Sequence, residues 1–407
     1  MELTHDPIRY LNLLRQALEA KDRPIAVLLG AGCPVAVKTN DGGPLIPDIQ
    51  GMTKRVVQKF PTSVHSAAFA TITQQLKQGL GHDPNIEEYL TRIRALGQVA
   101  AGLPLGDLNP DTLHALDDEI CANIVELCTA TLPAIGTPYH KLAAWIRGTR
   151  RTCPIEVFTT NYDLLVEQAL ESLRVPYFDG FIGSHTAFFD PYAMETEHVS
   201  LPSRWARLWK LHGSINWWAS TSGASGVVRS VDKAGERRLI HPSHLKYDEA
   251  RQMPYVAMMD RLKAFLRRPS AVLVTCGYSF RDRHINTLMV QTLAGSADVI
   301  TFGLLRSELG KRPEAVRLAQ DTPNLTLIGS DAAVIGTQRR RWASSYPDPL
   351  PAGLVGVRET APDGTSSETL NVTVGDFRDF GAMLAEVVGA DSDEDSAQSA
   401  AGVTDAS

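Results

Sequence analysis

Short apolar segments recur along this chain, and each ends in, or is followed at once by, glycine or a polar residue. Runs of consecutive apolar residues are typical of strands buried on both faces, as in a parallel sheet. Helical patterns separate several of them, for example at 164–173 and 258–266. Buried strands that alternate with helices predict an α/β fold built on a Rossmann-like, doubly wound parallel sheet. The predicted strands are 24–30, 155–159, 208–211, 271–276, 299–302 and 325–328.

The segment between the first two predicted strands, about residues 52–135, has mostly helical patterns. Within it, Asn85–Arg94 has the pattern of an amphipathic helix, and Asn85 is suited to be its N-cap. We therefore predict a helical insertion in a main domain that covers residues 23–340. An N-terminal helix within residues 1–22 is predicted to precede that domain.

Beyond the main domain we predict a small C-terminal extension, residues 341–389, with a strand at Thr369–Val374 and a helix at Phe377–Val388. Residues 390–407 are acidic, small and polar, so they cannot bury enough apolar surface to offset the entropy cost of ordering. We predict that they form a disordered tail. Residues 219–237, rich in serine, glycine and charge, are predicted to be a loop.

The composition is that of a soluble globular protein, with 43% hydrophobic and 21% charged residues. The formal net charge of -6 disfavours a broad phosphate-binding surface, so direct nucleic-acid binding is not expected. The five cysteines are scattered and form no CxxC pair, which favours a reducing compartment. The sequence shows no signal peptide and no membrane-spanning run, so we expect a cytoplasmic protein without membrane contact.

Glycine-rich and polar motifs stand at four of the predicted strand ends. Ligands of doubly wound sheets bind outside the carboxyl ends of the strands, so these motifs form one candidate site. Glycines let a backbone approach a pyrophosphate, an asparagine amide suits ribose hydroxyls or an ordered water, and an imidazole takes up protons near neutral pH. The motifs are Gly30-Ala31-Gly32-Cys33, Thr160-Asn161-Tyr162-Asp163, His212-Gly213 and Gly277-Tyr278-Ser279.

Each motif also has a purely structural interpretation, and the residues alone leave the choice open. The first motif could be a tight turn without a ligand, and Asp163 could cap the helix that begins near Leu164. His212 could be a structural histidine. Ser279 or Asp282 could cap the helix that follows the fourth motif.

In this order, the four motifs resemble those of the sirtuin superfamily, over about residues 24–335. The motif around Asn161 is one residue tighter than is usual in the family and lacks its glutamine. Leu45-Ile46-Pro47-Asp48 resembles the family's cofactor loop, with Gln50 where an arginine is usual. Pro138–Ala143 resembles the helix before the second site strand, in which His140 is expected to be structural.

Classical deacylating sirtuins carry a zinc ribbon with paired CxxC motifs after the His-Gly motif, and this chain has no such pairs. We therefore expect a fold without a zinc ribbon and without a metal site, which disfavours protein deacylation. The pattern instead resembles bacterial sirtuin-like proteins of anti-phage defence that degrade NAD. Asn85-Ile86-Glu87-Glu88-Tyr89-Leu90, in the helical insertion, resembles a segment of that branch.

The resemblance implies that NAD is the substrate and that its nicotinamide N-glycosidic bond is cleaved to give nicotinamide and ADP-ribose, with cyclisation as an open alternative to hydrolysis. It implies two catalytic residues: Asn161, which would fix the ribose or a water, and His212, which would act as the base. The cofactor-binding residues that it implies are Gly30, Ala31, Gly32, Cys33, Asp48, Thr160, Asp163, Gly277 and Ser279.

The length and simple architecture resemble the sirtuin-like subunit that is paired with a HerA-type hexameric ATPase/translocase. This analogy implies a defence effector that depletes NAD in abortive infection and is gated by that partner or by homo-oligomerisation. After residue 335 only about 50 residues precede the tail, too few for a typical sensing domain. Two other functions stay open: an NAD-dependent protein deacylase or ADP-ribosyltransferase, and a non-catalytic NAD-sensing scaffold.

Overall fold

A computed structural model describes residues 3–100, 108–195, 201–202, 204–219, 226–230, 237–239, 253–343, 353–360 and 366–389. The strands are β1 (Ile25–Leu29), β2 (Glu156–Thr159), β3 (Tyr177–Phe178), β4 (Phe181–Ile182), β5 (Ala187–Phe189), β6 (Ala206–Lys210), β7 (Gly213–Ala219), β8 (Val227–Arg229), β9 (Arg237–Leu239), β10 (Val272–Cys276), β11 (Ile300–Leu304), β12 (Leu325–Ile328), β13 (Ala332–Ile335), β14 (Gln338–Arg341), β15 (Leu354–Thr360) and β16 (Ser366–Val372). The α-helices are α1 (Pro7–Glu19), α2 (Gly32–Ala36), α3 (Ile49–Val57), α4 (Ser66–Leu80), α5 (Ile86–Ala100), α6 (Pro110–Cys128), α7 (Pro138–Gly148), α8 (Leu165–Ser172), α9 (Pro191–Glu195), α10 (Tyr255–Phe265), α11 (Arg283–Ala294), α12 (Pro313–Asp321) and α13 (Phe377–Val388).

A large, mostly parallel sheet forms the centre of the fold, and all six predicted strands belong to it. Within the described residues its order is β14-β13-β12-β11-β10-β1-β2-β6-β3, and only β13 and β14 run antiparallel to their neighbours. The chain enters at β1, moves outward through β2 and β6, and then returns to the other side of β1 with β10. The predicted doubly wound α/β fold is confirmed, and the strand order reverses between β1 and β10.

Both faces of the sheet are covered, as the apolar strand pattern predicts. Ile25, Val27 and Leu29 of β1 point into one hydrophobic cluster, which includes residues of α1, α7, α8 and α13. Ala26 and Leu28 point into a second cluster, which includes residues of α10, α11 and α12. Every residue of β1 is buried, so a run without polar alternation is what this position requires.

Between β1 and β2 the described residues are helical, as the sequence predicts, and α3 to α6 occupy most of this segment. Phe60, Phe69 and Tyr89 form a stack there, with successive ring centroids 3.9 and 4.8 Å apart. Asn85 is the N-cap of α5: its side chain accepts hydrogen bonds from the backbone N–H groups of Glu87 and Glu88. The Glu88 side chain in turn accepts from the Asn85 N–H at 2.7 Å, completing a capping box.

The C-terminal extension contains the β15–β16 hairpin and α13, which packs on α7 through Tyr139 and Phe377. The predicted helix is confirmed, and the predicted strand begins and ends slightly earlier than the sequence suggests. The predicted disordered tail, 390–407, lies outside the described residues. The division into domains stays a prediction.

The predicted loop at 219–237 is wrong for part of its length. Val227–Arg229 forms β8, which pairs with β7 and β5 in a small second sheet of order β4-β5-β8-β7-β9. Two adjacent valines favour a strand, and pairing with β7 outweighs the glycine- and serine-rich surroundings. Residues 220–225 and 231–236 of this segment lie outside the described part of the chain.

Candidate functional site

The turns that follow β1 and β10 interlock at the point where the strand order reverses. The Gly30 N–H donates to the Cys276 carbonyl and the Gly32 N–H to the Gly277 carbonyl, both at 2.9 Å. A Cβ atom on Gly30 would lie 2.4 Å from the Gly277 oxygen. Gly277 also has a φ of +66°, which favours glycine. The contact between the two turns therefore requires glycine at these positions, as in the structural interpretation that the sequence left open, and binding of a ligand there stays a prediction.

The first turn still exposes backbone at its tip, where Ala31 and Gly32 are accessible to solvent. The helix that follows, α2, has only five residues, so few peptide dipoles align behind it. Cys33 is buried, its N–H donates to the Gly30 carbonyl, and its thiol donates to the Cys276 carbonyl at 3.2 Å. Burial raises the pKa of this thiol well above its usual value. Cys33 is thus a packed, protonated residue, and its polar groups are used within the turns.

Asn161 joins the end of β2 to the end of β1. It is 9% exposed, and its amide nitrogen donates to the Gly30 carbonyl at 3.1 Å. Its backbone N–H donates to the Thr159 hydroxyl at 3.0 Å, and the N–H of Thr160 donates to the Leu29 carbonyl. The amide oxygen of Asn161 makes no hydrogen bond with the described residues. The side chain is therefore held by its nitrogen and retains an acceptor for a ligand.

Asp163 lies beneath this strand end and is 4% exposed. Its side chain accepts from the Leu165 N–H at 3.1 Å, which is the helix-capping contact that the sequence offered as the structural alternative. Burial raises the pKa of Asp163 to about 6. Lys210 donates to the Asp163 carbonyl and to Glu167, the latter at 2.9 Å. This buried lysine and glutamate form an ion pair that the sequence did not indicate.

His212 follows β6, next to the end of β2. The Leu211 N–H donates to the Thr159 carbonyl at 2.8 Å, and the Ile215 N–H donates to the Tyr162 carbonyl at 3.0 Å. The ring centroids of Tyr162 and His212 are 6.4 Å apart. The structure therefore brings the segments that carry Asn161 and His212 side by side at the carboxyl edge of the sheet.

Asp282, which the sequence indicated only as a helix cap, also contacts His212. One carboxylate oxygen, Oδ1, accepts from the N–H groups of His284 and Ile285, so Asp282 does cap α11. The other, Oδ2, lies 3.0 Å from Nε2 of His212. The two residues follow β10 and β6, which are three places apart in the sheet, a distance of about 14 Å between strands. The contact is made by the loops that follow these strands, and no local pattern in the sequence indicates it.

The loop that contains Ser279 is held by its neighbours. The Tyr278 hydroxyl donates to the Asn286 side chain at 2.8 Å, and the Asn286 amide donates to the Phe280 carbonyl at 2.7 Å. Ser279 is half-buried, and its hydroxyl makes no hydrogen bond with the residues that the structure describes. The loop therefore places Ser279 at the same edge of the sheet as Gly277.

Asp48 stands apart from the other candidates. It is exposed and is the N-cap of α3, where its side chain accepts from the Gly51 N–H at 2.8 Å. The adjoining Ile46 and Pro47 are buried and anchor this loop. No hydrogen bond among the described residues connects Asp48 to the strand-end motifs. His140, expected to be structural, is buried and bonds to Thr137 at 2.7 Å.

A cavity of about 270 Å³, including open solvent, lies away from the carboxyl edge of the sheet. Its walls include Trp209, Arg207 and Arg261. Arg207 already pairs with the buried Glu156 at 3.3 Å, and Glu156 also accepts from Trp209 at 2.6 Å. Because Arg207 and Trp209 already contact Glu156, this cavity is a weaker candidate than the strand ends.

Two kinds of feature are absent from the described residues. No group of three or more histidine, cysteine, aspartate or glutamate residues could hold a metal ion there. No helix in that part of the chain is long and apolar enough to cross a membrane.

Comparison with known proteins finds a family match for part of the chain. Residues 155–327 match the model of the SIR2-like domain, a range that includes the ends of β2, β6 and β10. No curated protein matches the chain.

Two solved structures are similar to it. One, from work on the mechanism and regulation of Sir2 enzymes, is 12% identical, with 76% of this chain and 89% of that chain covered and a TM-score of 0.33. The other, from work on sirtuin substrate affinity, is 12% identical, with 76% and 91% covered and a TM-score of 0.30. Similarity at this level supports no argument about chemistry, so the fold assignment rests on the sheet and the family match.

Proposed function

We propose that this protein is an NAD glycohydrolase that cleaves the nicotinamide N-glycosidic bond to give nicotinamide and ADP-ribose. One observation carries the proposal: Asn161 and His212 lie on adjacent strand ends beside the point of strand-order reversal, within a segment that matches the SIR2-like domain. Ligands of doubly wound sheets bind at this point. The SIR2-like domain supports an activity related to NAD.

The nicotinamide of NAD is a cationic pyridinium, so it leaves with the bonding electron pair as a neutral molecule. The ribose carbon that it leaves acquires oxocarbenium character, and a water then attacks that carbon. The enzyme must therefore hold the ribose, place a water and accept one proton. The product, ADP-ribose, gains the hydroxyl group from that water.

The residues of the site suit these three tasks. The amide oxygen of Asn161 can accept a hydrogen bond from a ribose hydroxyl or from the water, because its nitrogen is already bound to Gly30. His212 takes the proton that the attacking water loses. The exposed tip at Ala31 and Gly32, together with the Ser279 hydroxyl, would contact the phosphate and adenosine side.

Turnover of NAD by the purified protein, with and without a HerA-type ATPase, tests this function. We expect Asn161→Ala and His212→Ala to lower the rate by about 100-fold or more, as is usual for a group that positions a reactant or moves a proton. His114→Ala is the matched control, since His114 is an exposed histidine whose side chain is 80% accessible.

Product analysis separates the alternatives. Nicotinamide with ADP-ribose supports the glycohydrolase, whereas a cyclic product indicates cyclisation. Release of nicotinamide only when an acylated peptide is added would indicate a deacylase. Parent-like rates in both site variants would show that the site is elsewhere.

For the cellular role, we propose a cytoplasmic effector of anti-phage defence that acts by NAD depletion. Unrestrained loss of NAD harms the host, so the activity has to be gated, either by homo-oligomerisation or by a HerA-type hexameric ATPase. The partner is proposed by analogy only. Infected cells should lose NAD when they express the parent protein with the ATPase. They should keep it with the His212→Ala protein, and a loss of NAD with that variant would contradict the proposal.

A further inference from the structure

The close contact between His212 and Asp282 bears on which imidazole nitrogen can act as a base. Nε2 of His212 lies 3.0 Å from Oδ2 of Asp282, and the two side chains are 13% and 9% exposed. The other oxygen of this carboxylate accepts two backbone N–H groups at the start of α11. Asp282 is thus fixed at one oxygen and directs the other toward the imidazole.

An ionised carboxylate can only accept hydrogen bonds, so a neutral imidazole this close to it is stabilised when its hydrogen is on Nε2 rather than on Nδ1. In a neutral imidazole only one nitrogen carries a hydrogen, and the other carries the lone pair. When Nε2 carries it, Nδ1 is the nitrogen that can take up a proton.

We propose that Asp282 is a positioning residue, which holds His212 in the Nε2–H tautomer and so makes Nδ1 the base. The proposal rests on the proposed NAD cleavage for its catalytic part, and on the described geometry alone for the tautomer. Asp282 would also stabilise the imidazolium that forms when His212 accepts a proton.

A merely structural pair would tie the loop after β6 to the loop after β10 without affecting the tautomer. Asp282→Asn separates these two roles. Asparagine is as good an N-cap as aspartate, so α11 keeps its cap. However, its amide nitrogen can donate to Nε2, and this favours the tautomer with the hydrogen on Nδ1.

Asp6→Asn is the matched control. Asp6 caps α1 in the same way, with one oxygen accepting from the N–H groups two and three residues later. Both variants should melt close to the parent temperature. NAD consumption by Asp282→Asn should fall by about 100-fold in kcat with little change in KM, whereas Asp6→Asn should match the parent.

Nitrogen-15 NMR of histidine-labelled protein without NAD gives a second readout that needs no turnover. The parent spectrum should show His212 with its hydrogen on Nε2, and the His212→Gln spectrum assigns that signal. Asp282→Asn should shift the hydrogen to Nδ1. A parent His212 with its hydrogen on Nδ1 overturns the positioning role, as does a parent-like kcat in Asp282→Asn. Absence of NAD cleavage by the parent, both alone and with the HerA-type ATPase, overturns the proposed function instead, and the catalytic part of this proposal with it.

Discussion

The two halves of the carboxyl edge differ in what holds them together. Where β1 and β10 end, backbone packs on backbone, and glycines are required because a Cβ at Gly30 or Gly277 would lie 2.4 or 2.6 Å from a neighbouring main-chain atom. Where β2 and β6 end, polar side chains add contacts to the backbone hydrogen bonds, and the amide oxygen of Asn161 stays available to accept from a ligand. The glycine-rich half therefore maintains the fold, whereas the polar half carries the proposed chemistry.

The largest expected effect is on the glycine half. Gly30→Ala places a methyl group against fixed backbone, so we expect the free energy of unfolding to fall by about 4 kcal/mol or more. Gly97→Ala is the control, since that glycine lies within α5 with nothing within 4 Å of its added Cβ. The control should gain up to about 1 kcal/mol. Urea unfolding measures both, and similar values would remove the distinction between the two halves.

The next effect concerns the buried ion pair of the polar half. Lys210→Met leaves Glu167 buried without its cation, and we expect a loss of about 3 kcal/mol in unfolding free energy. Lys210→Met combined with Glu167→Leu should recover part of that loss, because both charges are then absent. If the double variant were less stable than the single one, the pair would not be the source of the effect.

A smaller effect should appear in the pH dependence of stability. Burial raises the pKa of Asp163 from 3.8 to about 6, so the folded state binds a proton more tightly than the unfolded chain. This contribution to stability is fully present below pH 3.8 and is lost as pH rises through about 6. The difference between 3.8 and about 6 limits it to about 3 kcal/mol, and it is smaller at pH values between the two. As the pH rises from about 4 to about 6, the unfolding free energy of Asp163→Asn should therefore fall less than that of the parent. Urea unfolding at each pH measures both.

The smallest effect is expected at Asp48, which belongs to neither half. Asp48→Ala removes the N-cap of α3 and should lower the unfolding free energy by about 1 kcal/mol. Asp48→Asn should restore most of it, since asparagine caps equally well. If Asp48→Asn instead raised the KM for NAD with stability unchanged, Asp48 would contact the substrate as the sequence suggested.

The strands could be predicted because a strand buried on both faces leaves an apolar run in the sequence. No local sequence pattern encodes the order of those strands in the sheet. The contacts His212–Asp282 and Lys210–Glu167 depend on that order, so they could not be predicted. Asp282 was recognised as a cap because capping is a local contact. The prediction for Gly30 and Gly277 identified the positions, but the reason for glycine lies in their mutual contact. The loop prediction at 227–229 failed because pairing with β7 is not local.

The bridge between His212 and Asp282 also has a consequence for the order in which the chain is made. Synthesis proceeds from the N-terminus, so Asn161 and His212 leave the ribosome well before Asp282 does. Until β10 has been added beside β1, Asp282 cannot reach the imidazole. A nascent chain therefore contains both proposed catalytic residues before it contains the residue that we propose to position one of them, and we expect the proposed activity to begin only after the loop that follows β10 has folded.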